Sequence, residues 1–267
     1  MKKSYLLFTL IILLISVTAC SNKKTTDDTY GEGNEEKSTL TVGFDQDFPP
    51  MGFVGDDGEY TGFDLDLAAE VAKRLDFELV LQPIAWDAKD MELKSGNIDC
   101  IWNGFTITGR EDNYTWTDEY MSNKQVFVVK EDSDIKTFAD LAGKSIVAQA
   151  DSSAEAALSE RQELVDTFGD YIKAADYNMA LMDLQSGAVD AVAMDYIVAG
   201  YHIEKKKADF VILDESLASE GYGVGFLLGN EELRDKVQTT LEEMADDGTL
   251  EKISTTWFGK DITTIKK

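Results

Sequence analysis

Histidine, cysteine and proline are scarce in this chain of 267 residues, which has one His, two Cys and three Pro. The single histidine, His202, and the two cysteines, Cys20 and Cys100, are too few for a histidine- or cysteine-rich metal site. They are also too few for a disulfide framework, so a conventional apolar core must stabilise the fold. Cys100 lies in the apolar run IDCIW and is predicted to be a small buried residue. We expect neither a metal nor a cofactor.

Basic residues are few as well. The chain has 25 Lys and Arg against 51 Asp and Glu, which gives a formal net charge of −26. Nucleic-acid binding depends on neutralising phosphates with basic side chains, so this balance argues against it. The negative charge is better explained as a contribution to solubility.

Long apolar runs are missing except at the N-terminus. Two lysines precede an apolar run from Leu6 to Val17, and small residues follow before Cys20. This pattern predicts a secretory signal peptide over residues 1–19, and the run is short for a span of the bilayer. The ending VTAC resembles a lipobox, in which the cysteine thiol receives diacylglycerol, although a chance cysteine at this point is the alternative.

Residues 20–38 are polar and carry no apolar period, which is typical of a flexible tether. With a lipid on Cys20, the tether would hold the folded part near the membrane by the lipid alone. The predicted location is therefore extracytoplasmic, on the outer face of the cell membrane or in the periplasm.

Predicted strands and helices alternate from Thr39 onward. Strands are predicted at residues 39–45, 77–84, 98–105, 144–150, near 171–174 and at 189–194, and helices at 63–76, 86–94, from 153 and at 179–185. Alternation of this kind indicates an α/β fold with parallel strands joined by crossover helices.

One pattern occurs twice, as MELKSGNIDCIWNG from Met91 and as MDLQSGAVDAVAMD from Met182. Each copy predicts a helix that ends at a glycine and is followed by a buried strand. Two copies predict two α/β lobes, each with its own sheet. Ligands of open α/β sheets bind beyond the carboxyl ends of the strands. Gly104 and Asp195, which end the two copies, are therefore expected to face the ligand.

Five segments in chain order resemble the periplasmic-type solute-binding proteins that deliver polar amino acids to ABC importers. The segments are VGFDQDFPPMGF, YTGFDLDLAAEVAKRL, GFTITGREDNYTWTDEYM, LASEGYGVGF and NEELRDKVQTTLEEMADDGTLEKISTTWFG. The resemblance covers about residues 40–260. It implies a two-lobed, type II periplasmic-binding fold, with residues 39–121 plus 222–263 in lobe 1, residues 125–218 in lobe 2, and hinges near 120–124 and 218–221.

The resemblance also implies a binding site for the carboxylate, the ammonium and the side chain of an amino acid. Both charged groups are costly to desolvate, so a binder must supply opposite charges. Arg110 would pair with the carboxylate in a two-pronged bond, and Asp195 would receive the ammonium. The remaining residues implied are Thr106 and the backbone near Gly104, Ser153 and Gln149 from the second lobe, the aromatic walls Phe48 and Trp86, and Asp45 at the side-chain or amino end of the ligand.

Each of these assignments has a plainer alternative. Arg110 could form a surface ion pair with Asp112, Asp195 could cap the following helix, and the two aromatic residues could belong to the core. The loop before Arg110 is also one residue shorter than the family pattern. Gly109 would allow the tighter turn, but the pose of Arg110 stays open.

The expected function is that of a monomeric, non-catalytic receptor that works with an ABC permease and ATPase. Its expected ligand is a polar amino acid, with Arg, Lys, Gln or cystine favoured. Two alternatives remain: an enzyme of the same fold that resembles cyclohexadienyl dehydratase, which would need a general acid and base in the cleft, and a purely sensory amino-acid-binding lipoprotein.

Overall fold

The computed structural model describes residues 38–265. The predicted signal peptide, Cys20 and nearly all of the predicted tether lie outside the described residues. In chain order, the strands of the described part are β1 (Thr39–Phe44), β2 (Asp47–Phe48), β3 (Gly52–Val54), β4 (Tyr60–Thr61), β5 (Glu78–Pro83), β6 (Cys100–Ile101), β7 (Thr115–Trp116), β8 (Met121–Lys130), β9 (Ser145–Gln149), β10 (Asp170–Ala174), β11 (Ala191–Asp195), β12 (Phe210–Tyr222) and β13 (Gly225–Phe226).

The α-helices of the same part alternate with these strands. They are α1 (Phe63–Arg74), α2 (Lys89–Ser95), α3 (Ser153–Ser159), α4 (Gln162–Val165), α5 (Tyr177–Ser186), α6 (Tyr196–Glu204), α7 (Glu231–Asp247) and α8 (Thr249–Phe258). Short 3₁₀ turns occur at Trp86–Ala88 and Phe138–Leu141. The predicted alternation of strands and helices is confirmed.

The strands form two five-stranded sheets, with the orders β5-β1-β6-β13-β7 and β10-β9-β11-β8-β12. In the first sheet β1 is parallel to β5 and β6, and in the second β9 is parallel to β10 and β11. Helices α1, α2 and α7 pack on the first sheet, α8 packs against α1 and α7, and α3, α5 and α6 pack on the second sheet. We call these two assemblies the first and the second lobe, and their presence confirms the predicted two-lobed α/β fold.

The repeated pattern has the predicted local structure in both lobes. Gly96 ends α2 with a φ of 76°, and Gly187 ends α5 with a φ of 80°. Both angles lie in the left-handed region, where glycine has no Cβ to clash. Each glycine is followed by a buried strand, β6 or β11, so the two copies run toward the carboxyl ends of the two sheets.

Two long strands connect the lobes. β8 follows β7 of the first sheet and continues into the second sheet, and β12 returns to the first sheet just before β13. The two strands are antiparallel, with Met121 opposite Tyr222 and Lys124 opposite Ser219. The segments predicted as hinges lie where these two strands pair between the sheets.

The strand predicted over residues 98–105 is much shorter, because β6 covers only Cys100–Ile101. The chain bends at Gly104, whose φ is 55° and whose N–H donates to the Oδ2 atom of Asp64 over 2.6 Å. The small sheet of β2, β3 and β4 was not among the predicted strands.

The core confirms the prediction for Cys100, which is a fully buried free thiol. The pattern of β1 shows why the sheet is buried so completely. Leu40, Val42 and Phe44 have no exposed surface, as expected for a strand in a parallel sheet that helices cover.

Candidate functional site

Side chains from both lobes meet at the carboxyl ends of the parallel strands. Asp45 follows β1, Gly104 follows β6, Gln149 ends β9 and Asp195 ends β11. A cavity of about 10 Å³ lies among these strand ends, room for roughly one water molecule. It is lined by Phe48, Trp86, Asn103, Gly104, Gln149, Ser152, Ser153 and Asp195.

Arg110 reaches from the first lobe to the second. Its Nη1 atom donates to Oγ of Ser153 over 2.9 Å and to the backbone oxygen of Thr106 over 3.3 Å. Its guanidinium carbon lies 5.3 Å from the centre of the Phe105 ring. Among residues 38–265 no ion pair joins Arg110 to Asp112. The alternative of a surface ion pair between these two residues is therefore not observed.

The shorter loop before Arg110 is accommodated by Gly109. This glycine has a φ of 78°, in the left-handed region, and the N–H of Arg110 donates to the backbone oxygen of Ile107 over 2.8 Å. The tight turn predicted for this loop is therefore present. It directs the guanidinium group of Arg110 toward Ser153, which lines the cavity. Arg110 itself lies at the edge of the cavity and is not one of its lining residues.

Asp195 is 4 % exposed and accepts three hydrogen bonds on one oxygen. Its Oδ1 atom lies 2.8 Å from Nδ2 of Asn123, 2.9 Å from Nε2 of Gln125 and 2.5 Å from the hydroxyl of Tyr222. Burial raises the pKa of this carboxyl group. Asp195 does stand at the N-cap position directly before α6, but its side chain makes no capping hydrogen bond there. The helix-capping alternative is therefore wrong for its side chain.

A second carboxyl group, that of Glu220 on β12, lies beside Asp195. Its Oε1 atom accepts from the same two amide groups, over 2.6 Å from Asn123 and 2.8 Å from Gln125. Burial and, to a smaller extent, the charge of Asp195 raise the pKa of Glu220 to about 8. The sequence analysis did not predict a role for Glu220, Asn123 or Gln125. All three belong to the connecting strands, and although Glu220 lies in the segment LASEGYGVGF, nothing in that segment indicated a ligand contact.

Asp45 is a third buried carboxyl group at the cleft, and it belongs to the first lobe. Its carboxylate accepts from Nε2 of Gln149 over 2.6 Å, across the boundary between the lobes, and from the N–H of Asp47 over 2.9 Å. Its own N–H donates to the side chain of Asn103 over 3.0 Å. Burial raises the pKa of Asp45 to about 6.

Lys89 forms another contact across the cleft that the sequence did not reveal. Its ammonium group contacts the carboxylate of Asp151 and lies 3.1 Å from the backbone oxygen of the same residue. It also lies 5.1 Å from the centre of the Trp86 ring. The residue is 1 % exposed, and burial lowers the pKa of its ammonium group. Lysine side chains are usually exposed, so the sequence did not indicate that Lys89 would be buried at the cleft.

The predicted aromatic walls, Phe48 and Trp86, are 7 % and 9 % exposed and line the cavity. The Phe48 ring lies 5.9 Å from that of Tyr177 in the second lobe. A Cβ atom on Gly104 would lie 2.9 Å from the Phe48 ring and 3.1 Å from that of Tyr222, so these rings require glycine there. The two aromatic residues border the cavity and also contribute to the core.

The remaining predicted contacts have definite positions. Ser152, rather than Ser153, caps α3 by accepting from the N–H of Glu155 over 3.1 Å. The hydroxyl of Thr106 is buried and has no hydrogen-bond partner among the described residues. The N–H of Gly104 is engaged by Asp64, so it is not a free donor toward the cavity.

The structure thus brings most of the residues predicted for the site together. Six of them line the cavity: Phe48, Trp86, Gly104, Gln149, Ser153 and Asp195. Asp45 and Arg110 contact lining residues, and Thr106 accepts a hydrogen bond from Arg110. The cleft therefore presents a guanidinium group at one edge and buried carboxyl groups at the other, which is an arrangement suited to a zwitterion.

Residues 38–265 contain no group of three or more His, Cys, Asp and Glu side chains arranged to hold a metal ion. His202 is half-buried in α6, and burial lowers its pKa to about 4. No helix between residues 38 and 265 has both the length and the apolar character needed to cross a membrane.

Known proteins are similar to nearly the whole of this chain. The L-cystine-binding protein TcyJ of Escherichia coli is 33 % identical over 257 residues, which cover 95 % of each chain. The arginine-binding extracellular protein ArtP of Bacillus subtilis is 31 % identical over 265 residues, which cover 97 % of this chain and 98 % of that one.

A solved structure is similar throughout the described fold. It is an ABC uptake transporter substrate-binding protein from Streptococcus pneumoniae with bound histidine, which is 36 % identical and superposes with a TM-score of 0.82 over 85 % of this chain and 94 % of that one. The model of the bacterial extracellular solute-binding proteins, family 3, matches residues 40–260. The chain belongs to this family of solute-binding proteins.

Proposed function

We propose that the protein is an extracytoplasmic receptor that binds one polar amino acid between its lobes and delivers it to an ABC importer. The observation that carries the proposal is the opposite charge at the two edges of one cleft: the guanidinium of Arg110 at Ser153, and the carboxyl group of Asp195 at the end of β11. A free amino acid has a carboxylate and an ammonium group, and both lose their hydration on binding.

The carboxylate would bind to Arg110. A guanidinium group offers two parallel donors to a carboxylate, and such charge-assisted pairs are among the stronger hydrogen bonds. Ser153 contributes its hydroxyl from the second lobe, and Thr106 adds a buried hydroxyl from the first. Because both lobes would then contact the same ligand carboxylate, its binding would stabilise the closed cleft.

The ammonium group would bind to Asp195, whose position is fixed by Asn123, Gln125 and Tyr222. The aliphatic part of the ligand would lie between the rings of Phe48 and Trp86. Asp45 and Gln149, which are bonded to each other across the lobes, would face the far end of the ligand.

Entry of the ligand requires the lobes to separate. The cavity of about 10 Å³ is far smaller than the roughly 300–1,000 Å³ of ordinary small-molecule pockets. Hydrogen bonds from Gln149 to Asp45 and from Arg110 to Ser153, with the Lys89–Asp151 contact, join the two sides. A ligand that bridges the lobes would replace these contacts and favour the closed form by its differential affinity.

For the identity of the ligand, the relatives support two chemical classes: a basic amino acid such as arginine, and cystine. Buried carboxyl groups at Asp45 and Asp195 favour a ligand with more than one cationic group. Arginine and lysine carry a cationic side chain, and cystine carries two ammonium groups. Glutamine, also predicted, would use Asp45 as a hydrogen-bond acceptor only.

We further propose that Cys20 carries a lipid and that residues 20–38 tether the receptor to the outer face of a cell membrane. The lipobox-like ending VTAC supports this proposal. We also propose that the protein is not an enzyme. The dehydratase-like alternative is tested by incubation with prephenate or arogenate, from which a receptor yields no product.

A thermal-shift panel of the twenty common amino acids plus cystine tests the proposed function. We expect a marked rise in the unfolding temperature with one ligand or a few related ones, since binding to the native state alone stabilises it by mass action. Small-angle scattering with the stabilising ligand should show compaction. Absence of any shift across the panel would refute the proposal, and unchanged radii with a saturating ligand would refute closure.

A further inference from the structure

Two buried carboxyl groups share the same pair of amide donors. The Nδ2 atom of Asn123 lies 2.8 Å from Oδ1 of Asp195 and 2.6 Å from Oε1 of Glu220. The Nε2 atom of Gln125 lies 2.9 Å and 2.8 Å from the same two oxygens. Because both acids accept from the same two nitrogens, their carboxyl groups lie side by side at the base of the cleft.

No positive charge balances this pair. Within residues 38–265 neither carboxyl group forms an ion pair with Lys, Arg or His. The elements around it supply neutral groups: the amides of Asn123 and Gln125 from β8, the hydroxyl of Tyr222 from β12 and the phenol of Tyr177 from α5. Burial raises the pKa of both tyrosines well above the ordinary value, so they stay uncharged near pH 7.

Two carboxylates held this close without a cation do not both ionise in a buried site. The pair is enclosed, since Asp195 is 4 % and Glu220 8 % exposed. Burial and mutual repulsion raise the pKa of Glu220 to about 8, and the two groups titrate as a unit. Near pH 7 the pair therefore retains a proton and carries a single negative charge.

We propose that the Asp195–Glu220 pair holds one proton when no ammonium group is bound, and that the ammonium group of the ligand displaces this proton into solvent. The inference rests on the proposed binding of an amino acid at Asp195. The charges balance: the ammonium group brings one positive charge to the pair, and the proton takes one positive charge away. Glu220 thus becomes part of the ammonium site although it need not touch the ligand.

Such exchange makes binding depend on pH in a defined direction. Below the pKa of the pair, each unit of acidification should weaken binding by about tenfold, because the ligand must displace one proton. Above that pKa the proton is already absent, and the affinity should level off. Binding of the same acid without its ammonium group should release no proton, because nothing then replaces the proton on the pair.

Titration calorimetry of the purified protein in buffers of different ionisation enthalpy tests the inference. With the amino acid found in the thermal-shift panel, we expect release of up to about one proton per ligand near pH 7. In Glu220→Gln the shared proton is gone, so near pH 7 and above, where Asp45 with its pKa of about 6 is already ionised, release should fall to near zero and the affinity should lose its dependence on pH. Glu119→Gln removes an exposed carboxylate close to the same hinge and serves as the control, with release as in the wild type.

The outcomes separate the two proposals. If no amino acid binds the wild type, the proposed function fails and this inference fails with it. If an amino acid binds with no buffer dependence, only the inference is overturned, and the same holds if Glu220→Gln releases as many protons as the wild type. Should Glu220→Gln not fold, the affinity of the wild type across pH decides: a tenfold change per unit supports the exchange, and a flat profile overturns it.

Discussion

Arg110 of the first lobe donates from Nη1 to Oγ of Ser153 in the second lobe over 2.9 Å. Both residues belong to the predicted ligand site: Arg110 as the cation for the carboxylate, and Ser153 at the start of a helix whose free N–H groups suit a carboxylate. Their contact shows that the two sides of the cleft approach each other at this edge. A carboxylate bound to Arg110 would therefore lie within reach of the second lobe, which couples ligand recognition to closure.

Replacement of Arg110 by alanine tests the carboxylate site. A buried charge that loses its partner costs several kcal/mol, so Arg110→Ala should weaken binding by roughly two to three orders of magnitude. It should also abolish the preference for the amino acid over its carboxyl-blocked amide. Calorimetry with both ligands measures this, and Arg161→Ala, an arginine of the second lobe beside Phe138, is the control. Near-native affinity of a folded Arg110→Ala would remove the residue from the site.

Replacement of Asp195 by alanine tests the ammonium site. We expect Asp195→Ala to lose roughly as much affinity as Arg110→Ala. It should also bind the amino acid and its N-acetyl analogue equally well, because the carboxylate that binds the ammonium group is absent. The free energy of unfolding without ligand should change little, because Asn123 and Gln125 keep their hydrogen bonds to Glu220 when the Asp195 carboxyl group is removed. Unchanged discrimination in the folded variant would assign the ammonium group to another residue.

The contact between Lys89 and Asp151 tests closure separately from ligand recognition. Lys89→Met keeps a long apolar side chain in the buried position but cannot contact the carboxylate. We expect a more open average shape in scattering without ligand and weaker binding, because the closed form loses a contact between the lobes. Lys94→Met changes an exposed lysine on the same helix and should alter neither. Equal radii for Lys89→Met and the wild type would contradict this role.

Cys100 should be unreactive in the native protein. Burial raises the pKa of its thiol far above the usual range, and the thiolate is the reactive form. In a Cys20→Ala background Ellman's reagent should therefore modify no thiol under native conditions and one equivalent after unfolding in denaturant. Rapid modification of the folded protein would show that the first lobe opens locally around β6.

The predicted lipid on Cys20 is tested in cells. Cys20→Ala should release the protein into the medium or leave the uncleaved precursor, because no thiol is available for diacylglycerol. Fractionation and the molecular mass of the N-terminal peptide measure this. A processed Cys20→Ala protein that stays at the membrane as the wild type does would rule out the lipid anchor.

Local sequence patterns were sufficient to predict the framework. The apolar periods of β1 and α1 and the glycines that end α2 and α5 depend on residues close together in the chain, so they could be read without the fold. The same applies to Gly104 and Asp195, since the end of a strand is a local feature. Strand β6 ends at Ile101, and the residues after it bond to other parts of the chain: the side chain of Asn103 accepts from the N–H of Asp45, and the N–H of Gly104 donates to Asp64. Contacts between residues so far apart in sequence have no local signal.

Only the tertiary structure decided which side chains face each other at the cleft. The contacts of Arg110 with Ser153 and of Lys89 with Asp151 join separate lobes, and no periodicity records them. In the sequence, Glu220 is likewise an ordinary residue of a connecting strand. It becomes a buried partner of Asp195 because β8 pairs with β11 on one side and with β12 on the other, which brings two carboxyl groups to the same amide donors. The sequence determined the residue types and the strand ends, whereas burial and pairing between distant strands determined the charge state of the site.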